Sequence, residues 1–233
     1  MSVAVGPDLI QDGLVLCLDA ANTKSYPGSG TAWTDLSGNG NNATTSGGPT
    51  FSSANGGGII FDATNDYAAI PNSSSLNPTV AVSLCAFINL TSISSNFAPI
   101  ILKQNNYSGS YEQYSLYMAP GGAFGLTVTG PDRSQKSANS GGDYRNIFVY
   151  VVGVISTITD DLKLYINGNL VASNATFTST FDISSNQVHI GAMPTVYTGF
   201  SGGRIFNANI YNRALSITEI RQNYNSIKGR FRL

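Results

Sequence analysis

The chain has 233 residues, of which 42% are apolar and 11% are charged, and its formal net charge is −1. The length suits one large domain with a sizeable core, and the charged fraction is well below the roughly one quarter typical of soluble domains. Such a chain offers no field to neutralise phosphates, which excludes nucleic acid as a partner. A surface covered mainly by Ser, Thr, Asn and Gly suits stable assemblies and contacts with sugars.

The first eleven residues predict a short leader rather than a targeting segment. They lack the basic region and the long apolar region of a signal peptide. No stretch approaches the roughly 20 apolar residues of a membrane span. We therefore expect a soluble protein made inside a cell, with no membrane partner, in which a leader or arm over residues 1–11 precedes one domain over residues 12–231.

Apolar and alternating runs predict the strands of the first half of the chain. Gly13–Leu18 is almost continuously apolar, which favours a central strand buried on both faces. Residues 20–58 have no strong periodicity and predict a long loop pinned by Trp33 and Leu36. Further strands are predicted at Gly57–Ala63, Asp66–Ile70 and Val80–Leu90.

The second half of the chain continues the same pattern. Asn167-Gly168, with apolar alternation on both sides, is the strongest hairpin signal in the sequence. Other strands are predicted at Pro99–Asn105, Gln113–Pro120, Ala123–Thr129, Ile147–Ser156, Leu162–Ile166 and Gln187–Ala192. About a dozen short strands separated by turns indicate an all-β sandwich or jelly roll.

The C-terminal stretch combines one strand with the one predicted helix. Arg204–Tyr211 alternates, and the residues expected to face the core are Phe206, Ala208 and Ile210. Ser216 and Glu219 fit a capping box at the start of a helix, and Gly229 is a candidate C′ residue at its end. A single helix after so many strands should cover an edge or corner of the sheets.

Five segments in this order resemble the laminin-G-like branch of the concanavalin A-like lectin/glucanase superfamily. They are GLVLCLDAAN, WTDLSGNGNNAT, IIFDATNDYAAIP, LKLYINGNLVAS and FSGGRIFNANIYNRALSITEI. The resemblance covers about residues 12–231. It implies a jelly-roll sandwich of two curved antiparallel sheets, with the first and last strands adjacent and one short C-terminal helix.

Two stretches, DAANTKSYPGSGTAWTDLSGNGNN and QNYNSIKGRF, are similar to laminin-G-like proteins of tailed bacteriophages, especially those of marine and cyanobacterial hosts. The resemblance implies a non-enzymatic virion structural protein, either a capsid decoration or a tail fibre or appendage subunit, made in the host cytoplasm and placed on the virion surface. Its partners would be other capsid or tail proteins, copies of itself with a trimer favoured, and a host-surface glycan for adhesion. The leader and the basic residues Lys228, Arg230 and Arg232 are candidate docking arms. The alternative is a stand-alone carbohydrate-binding module.

The acidic residues argue against hydrolysis. Glycosidases usually place two carboxylates beside the scissile bond, and those of this superfamily carry them as Glu-x-Asp-x-Glu on one strand. This chain has two glutamates, Glu112 and Glu219, and the helix cap accounts for the second. The single histidine, His189, lies in a predicted strand, and no Gly-x-Ser-x-Gly motif accompanies it. We therefore predict that the chain is not an enzyme.

Calcium is possible although no cofactor is required, because laminin-G-like domains often hold one ion. Calcium takes six to eight oxygen ligands, so roughly that many carboxylates, amides and carbonyls must converge. The candidates are Asp19, Asp35, Asn39, Asn41, Asp62 and Asp66. The alternative is that these side chains serve only as turn and cap residues.

Sugar binding would use an exposed aromatic ring as a stacking platform, with amides around it. One candidate group is Tyr107, Tyr111, Tyr114, Asn105, Asn106 and Gln113, and another is Tyr197 with Phe200. The alternative is that these rings pack on the sandwich or on a neighbouring subunit, where Tyr is also favoured.

The two cysteines, Cys17 and Cys85, both lie in apolar strand-like runs. Two buried thiols are one interpretation. A disulfide is the other, and it requires adjacent strands with close Cα atoms, which the sequence does not show.

Overall fold

The computed structural model describes residues 8–93, 97–104, 112–175, 180–193 and 199–231. The strands of these residues are β1 (Leu14–Asp19), β2 (Ala32–Trp33), β3 (Ala43–Ser46), β4 (Thr50–Ser52), β5 (Gly58–Asp62), β6 (Tyr67–Ile70), β7 (Ala81–Ile93), β8 (Ala98–Gln104), β9 (Glu112–Met118), β10 (Phe124–Thr129), β11 (Gln135–Asn139), β12 (Val149–Ser156), β13 (Asp161–Ile166), β14 (Asn169–Asn174), β15 (Val188–Ile190), β16 (Ala192–Met193) and β17 (Gly199–Tyr211). The helix α1 spans Ile217–Lys228, and short 3-10 turns lie at Ala54–Gly56, Ser74–Leu76 and Gly229–Phe231.

The strands form two antiparallel sheets. The nine-stranded sheet has the order β14-β13-β12-β7-β17-β5-β4, and β1 and β16 also pair with β17. The eight-stranded sheet has the order β11-β10-β9-β8-β15-β6-β3-β2. The main core lies between them and takes apolar side chains from both. The predicted all-β sandwich with one short C-terminal helix is confirmed, and the first and last strands are adjacent.

A bulge in β17 changes which of its side chains face the main core. The register between β17 and β7 shifts between Ile205 and Asn207, and an extra residue in one strand reverses the alternation beyond it. Ile205, Ala208 and Ile210 therefore lie in the main core, whereas Phe206 lies on the opposite side. The prediction that Phe206 shares a face with Ala208 and Ile210 is wrong for this reason.

A second core lies between α1 and the outer face of the nine-stranded sheet. Its sheet residues include Cys85, Phe87, Tyr150, Phe206 and Tyr211, and its other members include Leu215, Ile220 and Ile227. The helix thus covers a face of the sheet rather than an edge or corner, which corrects the expectation from the sequence. As a result β17 is buried on both faces over most of its length.

The predicted capping box is present at the start of α1. The Glu219 amide donates to Ser216 Oγ at 3.3 Å, and the Ser216 amide donates to Glu219 Oε2 at 2.8 Å. Arg213 donates to the same carboxylate at 2.7 Å and lowers its pKa to about 2. Gly229 does follow the helix, but its φ of −59° is right-handed. The chain continues into a 3-10 turn, so the left-handed conformation of a glycine stop is not used.

Local turn chemistry explains the predicted hairpin at Asn167 and Gly168. Asn167 has a φ of 51° and Gly168 a φ of 79°, as a two-residue hairpin turn requires, and they join β13 to β14 as predicted.

The prediction of one long loop over residues 20–58 is wrong, because β2, β3 and β4 pair with neighbouring strands. Trp33 is fully buried in the main core and anchors this segment to it, as predicted.

The two cysteines lie on either side of the same residue. Cys17 of β1 and Cys85 of β7 both pair with Asn209 of β17. Two strand spacings put their Cα atoms about 10 Å apart, which exceeds the roughly 7 Å that a disulfide can bridge. Both are therefore buried free thiols, and burial raises the pKa of each to about 12.

The described end of the leader is packed against the helix. The Ile10 amide donates to Asn223 Oδ1 at 2.9 Å, and the Tyr211 hydroxyl donates to the Ile10 carbonyl at 3.0 Å. At the other end, Arg230 forms an ion pair with Asp19 at 2.6 Å. Within the described ranges, no helix combines the length and apolarity needed to cross a membrane.

Candidate ligand-binding site

The structure places the predicted sugar-binding residues differently from the expectation. Those that lie outside the described residues are Asn105, Asn106, Tyr107, Tyr111 and Tyr197. Tyr114 is fully buried and its hydroxyl donates to the Leu76 carbonyl at 3.0 Å. Gln113 is fully buried and accepts from the Ser184 amide, and Phe200 is 8% exposed. The prediction of surface sugar contacts is wrong for these three, because burial removes their side chains from solvent.

The six candidate calcium ligands fall into three groups: Asp35 with Asn39 and Asn41, Asp62 with Asp66, and Asp19, which pairs with Arg230. Asp35 accepts from the amides of Cys17, Ser37 and Asn41, and the side chains of Asn39 and Asn41 donate to carbonyls of β1. Asp62 accepts from the Thr64 amide and Asp66 from the Asp62 amide, while Asp19 pairs with Arg230. Within the described part of the chain, no group of three or more His, Cys, Asp or Glu side chains is placed to hold a metal ion. These contacts are those of turn and cap residues.

A cleft of about 340 Å³ lies on the outer face of the eight-stranded sheet, across β9, β10 and β11. Leu116 and Leu126 of these strands face the main core, so the alternate residues face outward. The residues that line the cleft are Phe97, Glu112, Tyr117, Ala119, Thr127, Gln135 and Ser137. An aromatic pair, hydroxyls, an amide and a carboxyl group therefore share one concave surface.

A bulge brings Glu112 into this cleft. Lys103 pairs with Tyr114, but the next residue of β8, Gln104, pairs with Glu112. Gln113 is thus an extra residue in β9, and the bulge turns Glu112 outward where regular alternation would point it toward the core.

The Glu112 side chain is 5% exposed, and Gln135 Nε2 donates to its Oε2 at 2.7 Å. Burial is the largest influence on this carboxyl and raises its pKa to about 7. The hydrogen bond from Gln135 acts in the opposite direction without cancelling the effect of burial. Glu112 therefore exchanges between a neutral donor and a charged acceptor near neutral pH.

Tyr117 forms the aromatic wall of the cleft. Its ring lies over the backbone of Gly125 in β10, where a Cβ atom would overlap the ring. The ring of Phe97 meets it edge-on at 5.5 Å between centroids, and the Tyr117 hydroxyl donates to Asn139 Oδ1 at 3.2 Å. These contacts hold a half-buried tyrosine in one orientation beside Glu112 and Gln135.

His189 does not form a nucleophilic pair with the serine nearest to it in register. His189 of β15 pairs with Leu102 of β8, which pairs with Ser115 of β9, so the histidine and the serine are two strand spacings, about 10 Å, apart. Burial lowers the pKa of His189 to about 4. The histidine is a buried neutral residue that meets the Tyr67 ring edge-on at 5.8 Å.

The cleft residues are not grouped in the sequence, because only strand register brings them together. Glu112 stands out in the sequence only as one of two glutamates, and Tyr117 follows the candidate tyrosines Tyr107, Tyr111 and Tyr114. Period-two alternation places Tyr117 and Ser115 on the face opposite Tyr114 and Leu116, and this pattern predicts that Tyr117 faces outward. No comparable pattern predicts the bulge at Gln113 that turns Glu112 outward.

Three solved structures illustrate the similarity of the fold. The binding domain of Paraclostridial Mosquitocidal Protein 1 matches with a TM-score of 0.70 and 16% identity, over 93% of this chain and 52% of that one. The botulinum neurotoxin serotype D ligand binding domain, in complex with N-acetylneuraminic acid, has a TM-score of 0.69, 18% identity and coverages of 92% and 51%. Trypanosoma rangeli sialidase has a TM-score of 0.67, 15% identity and coverages of 95% and 35%. The chain spans about half of the two binding domains and about a third of the sialidase.

These neighbours include binding domains and an enzyme, so they establish the fold and leave the function open. No curated protein sequence matches the chain. A laminin-G family model, described as the Concanavalin A-like lectin/glucanases superfamily, matches residues 62–221, more than half of the chain. With the two-sheet sandwich and its C-terminal helix, this match shows that the chain belongs to the concanavalin A-like lectin/glucanases superfamily.

Proposed function

We propose that this chain is a non-enzymatic glycan-binding module that uses the cleft of Tyr117 and Glu112. The observation that carries the proposal is the Tyr117 ring, held over Gly125 beside the hydrogen-bonded pair Glu112 and Gln135. A sugar has an apolar C–H face and hydroxyl edges, so it requires an aromatic surface next to fixed donors and acceptors. The cleft volume of about 340 Å³ suits one sugar unit.

The polar groups of the cleft complement hydroxyl groups. A carboxylate accepts hydrogen bonds from the hydroxyls of a sugar ring, and an amide can both accept from and donate to them. Thr127 and Ser137 share a hydrogen bond of 3.1 Å between their Oγ atoms and add two adaptable donors and acceptors. Glu112 is the single carboxyl group among the residues that line this cleft, and hydrolysis usually needs two. The chemistry of the cleft therefore favours binding over cleavage.

Titration with immobilised neutral glycans tests the proposal. Tyr117→Ala should weaken binding by at least about tenfold, which corresponds to about 1.4 kcal/mol, because it removes the stacking surface. Tyr117→Phe keeps the ring and should retain most of the affinity. Tyr224→Ala, on the helix at the opposite sheet, serves as a control for the general loss of an aromatic side chain. Unchanged binding by Tyr117→Ala, or the absence of any bound glycan across a broad array, would contradict the proposal.

We further propose that the module belongs to a phage virion, as a capsid decoration or tail appendage subunit that assembles as a trimer. The support is the similarity of the sequence to phage laminin-G-like proteins, the low charged fraction of 11%, and exposed apolar side chains at one end of the nine-stranded sheet. There Ile158 is 77% exposed and Val80 is 43% exposed, and Thr157 binds the Val80 carbonyl between them. We expect this apolar end to contact another copy of the chain.

Light scattering on the purified chain tests the assembly. The expected result is a trimer that Ile158→Asp converts to monomers, whereas Thr64→Asp, an exposed substitution in the β5–β6 turn, leaves it intact. A monomer at all concentrations would contradict self-assembly and leave the stand-alone glycan-binding module as the remaining function.

A further inference from the structure

A second cleft, of about 600 Å³, lies on the outer face of the nine-stranded sheet, where β5, β17 and β7 run side by side. Arg204 of β17 is at its centre, in register with Ile60 of β5 and Asn89 of β7. Two residues along β17, Gly202 is in register with Asp62 of β5 and Ser92 of β7. This cleft is on the sheet opposite the one that carries Tyr117 and does not depend on the function proposed there.

Arg204 is the one arginine of the described residues for whose side chain the structure gives no hydrogen bond or ion pair. The other described arginines all have partners: Arg133, Arg145, Arg213, Arg221 and Arg230. Arg204 is partly buried and is one of the residues that line the cleft. A planar guanidinium presents a fork of donors that matches a carboxylate. Its charge is therefore available to a ligand.

Apolar and amide groups surround this arginine. The half-buried ring of Phe148 lines one side and is fixed by Phe206 and Phe231, at 5.7 and 5.8 Å between centroids. Asn89 and Asn146 also line the cleft, and neither side chain hydrogen-bonds to the described chain. The cleft thus combines a ring, two amides and one cation.

Charge limits the ligands that this cleft can accept. Arg204 is the single cation among its lining residues, and Asp62 is a carboxylate in the same lining. The amides of Thr64 and Asn65 donate to Asp62 and lower its pKa, which keeps it ionised. A polyanion would meet this negative charge, whereas a sugar with one carboxylate could place that group on Arg204 and a hydroxyl donor on Asp62.

We propose that this second cleft binds a saccharide bearing a single carboxylate, with Arg204 as the carboxylate-binding residue, Asp62 and the amides as hydroxyl-binding residues, and Phe148 as the apolar wall. Removing the Arg204 charge should weaken binding by at least about tenfold, since the interaction is charge-assisted.

Amide NMR spectra of the full chain, titrated with a glucuronate-terminated trisaccharide to millimolar concentration, test this inference. The expected shifts lie at Arg204, Asn89 and Asn146. Arg204→Gln should abolish them, and Arg221→Gln, which removes the same charge from the exposed face of α1, should not. The matching trisaccharide that ends in glucose should produce no shifts at these amides. Tyr117→Ala should leave the binding of the acidic sugar unchanged, which separates this site from the first cleft.

Three results would overturn the inference. They are the absence of shifts around Arg204, shifts that persist in Arg204→Gln, and stronger binding of a sulfated trisaccharide than of the carboxylated one. The last would show that Arg204 recognises charge density rather than a carboxylate.

Discussion

Replacing Glu112 by Gln should change how the stability of the protein depends on pH. Burial raises the pKa of Glu112 from 4.5 to about 7, so the folded protein holds this proton more tightly than the unfolded chain does. Below pH 4.5 the Glu112 carboxyl is protonated in both the folded and the unfolded protein, and it does not lower the free energy of unfolding. As the pH rises toward 7 the unfolded chain ionises first, and this residue lowers the stability of the fold. The full difference corresponds to about 3 kcal/mol.

The opposite shift of His189 must be separated from this effect. Burial lowers the pKa of His189 from 6.5 to about 4, so its contribution to stability rises with pH across that interval. The two residues partly cancel in the wild-type protein, which should have a rather flat profile. The Glu112→Gln variant retains only the His189 contribution of this pair, so its stability should increase with pH.

Urea unfolding of the wild-type and variant proteins across this pH range measures the difference directly. The two free energies of unfolding should agree below pH 4.5, and the variant should be more stable by up to about 3 kcal/mol above pH 7. Glu219→Gln provides a control of opposite sign, because Arg213 lowers the pKa of Glu219 to about 2 and the carboxylate stabilises the fold above pH 4.5. A difference between Glu112→Gln and wild type that does not vary with pH would refute the reasoning.

Two further predictions concern the second core and the helix above it. Cys17 and Cys85 should stay reduced under mild oxidation and should react with a thiol reagent only on unfolding, because burial raises the pKa of both to about 12; fast reaction of the native protein would contradict this. Ser216→Ala removes the helix cap and should cost about 1 kcal/mol in thermal or urea unfolding. Ser226→Ala, farther along the same helix, should have little effect, and an equal loss in both variants would argue against the cap.

Features set by a few neighbouring residues were predictable from the sequence. The hairpin at Asn167 and Gly168 follows from the left-handed conformation that these residues tolerate. The helix start follows from the reciprocal hydrogen bonds that Ser216 and Glu219 can form. Neither depends on how distant strands are arranged.

Features set by register were not predictable in the same way. A bulge of one residue reverses the alternation of side chains, and nothing in the local sequence marked the bulges near Phe206 and Gln113. The sequence does not predict the second core, because alternation in Arg204–Tyr211 indicates one buried face, whereas α1 covers the other. The Arg204 cleft also depends on register, since Asn89 becomes its neighbour only when β7 pairs with β17.

The pairing of β1 with β17 has a consequence for synthesis of the protein. Leu14 and Tyr211 are partners across the sheet, and β17 also joins β7 to β5. The central strand of the nine-stranded sheet is therefore missing until residues 199–211 have left the ribosome. Contacts so distant in sequence favour slow folding and leave apolar strands exposed in the meantime. We expect a nascent chain that ends before residue 199 to depend on chaperones, and the emergence of β17 and α1 to complete this sheet and the second core.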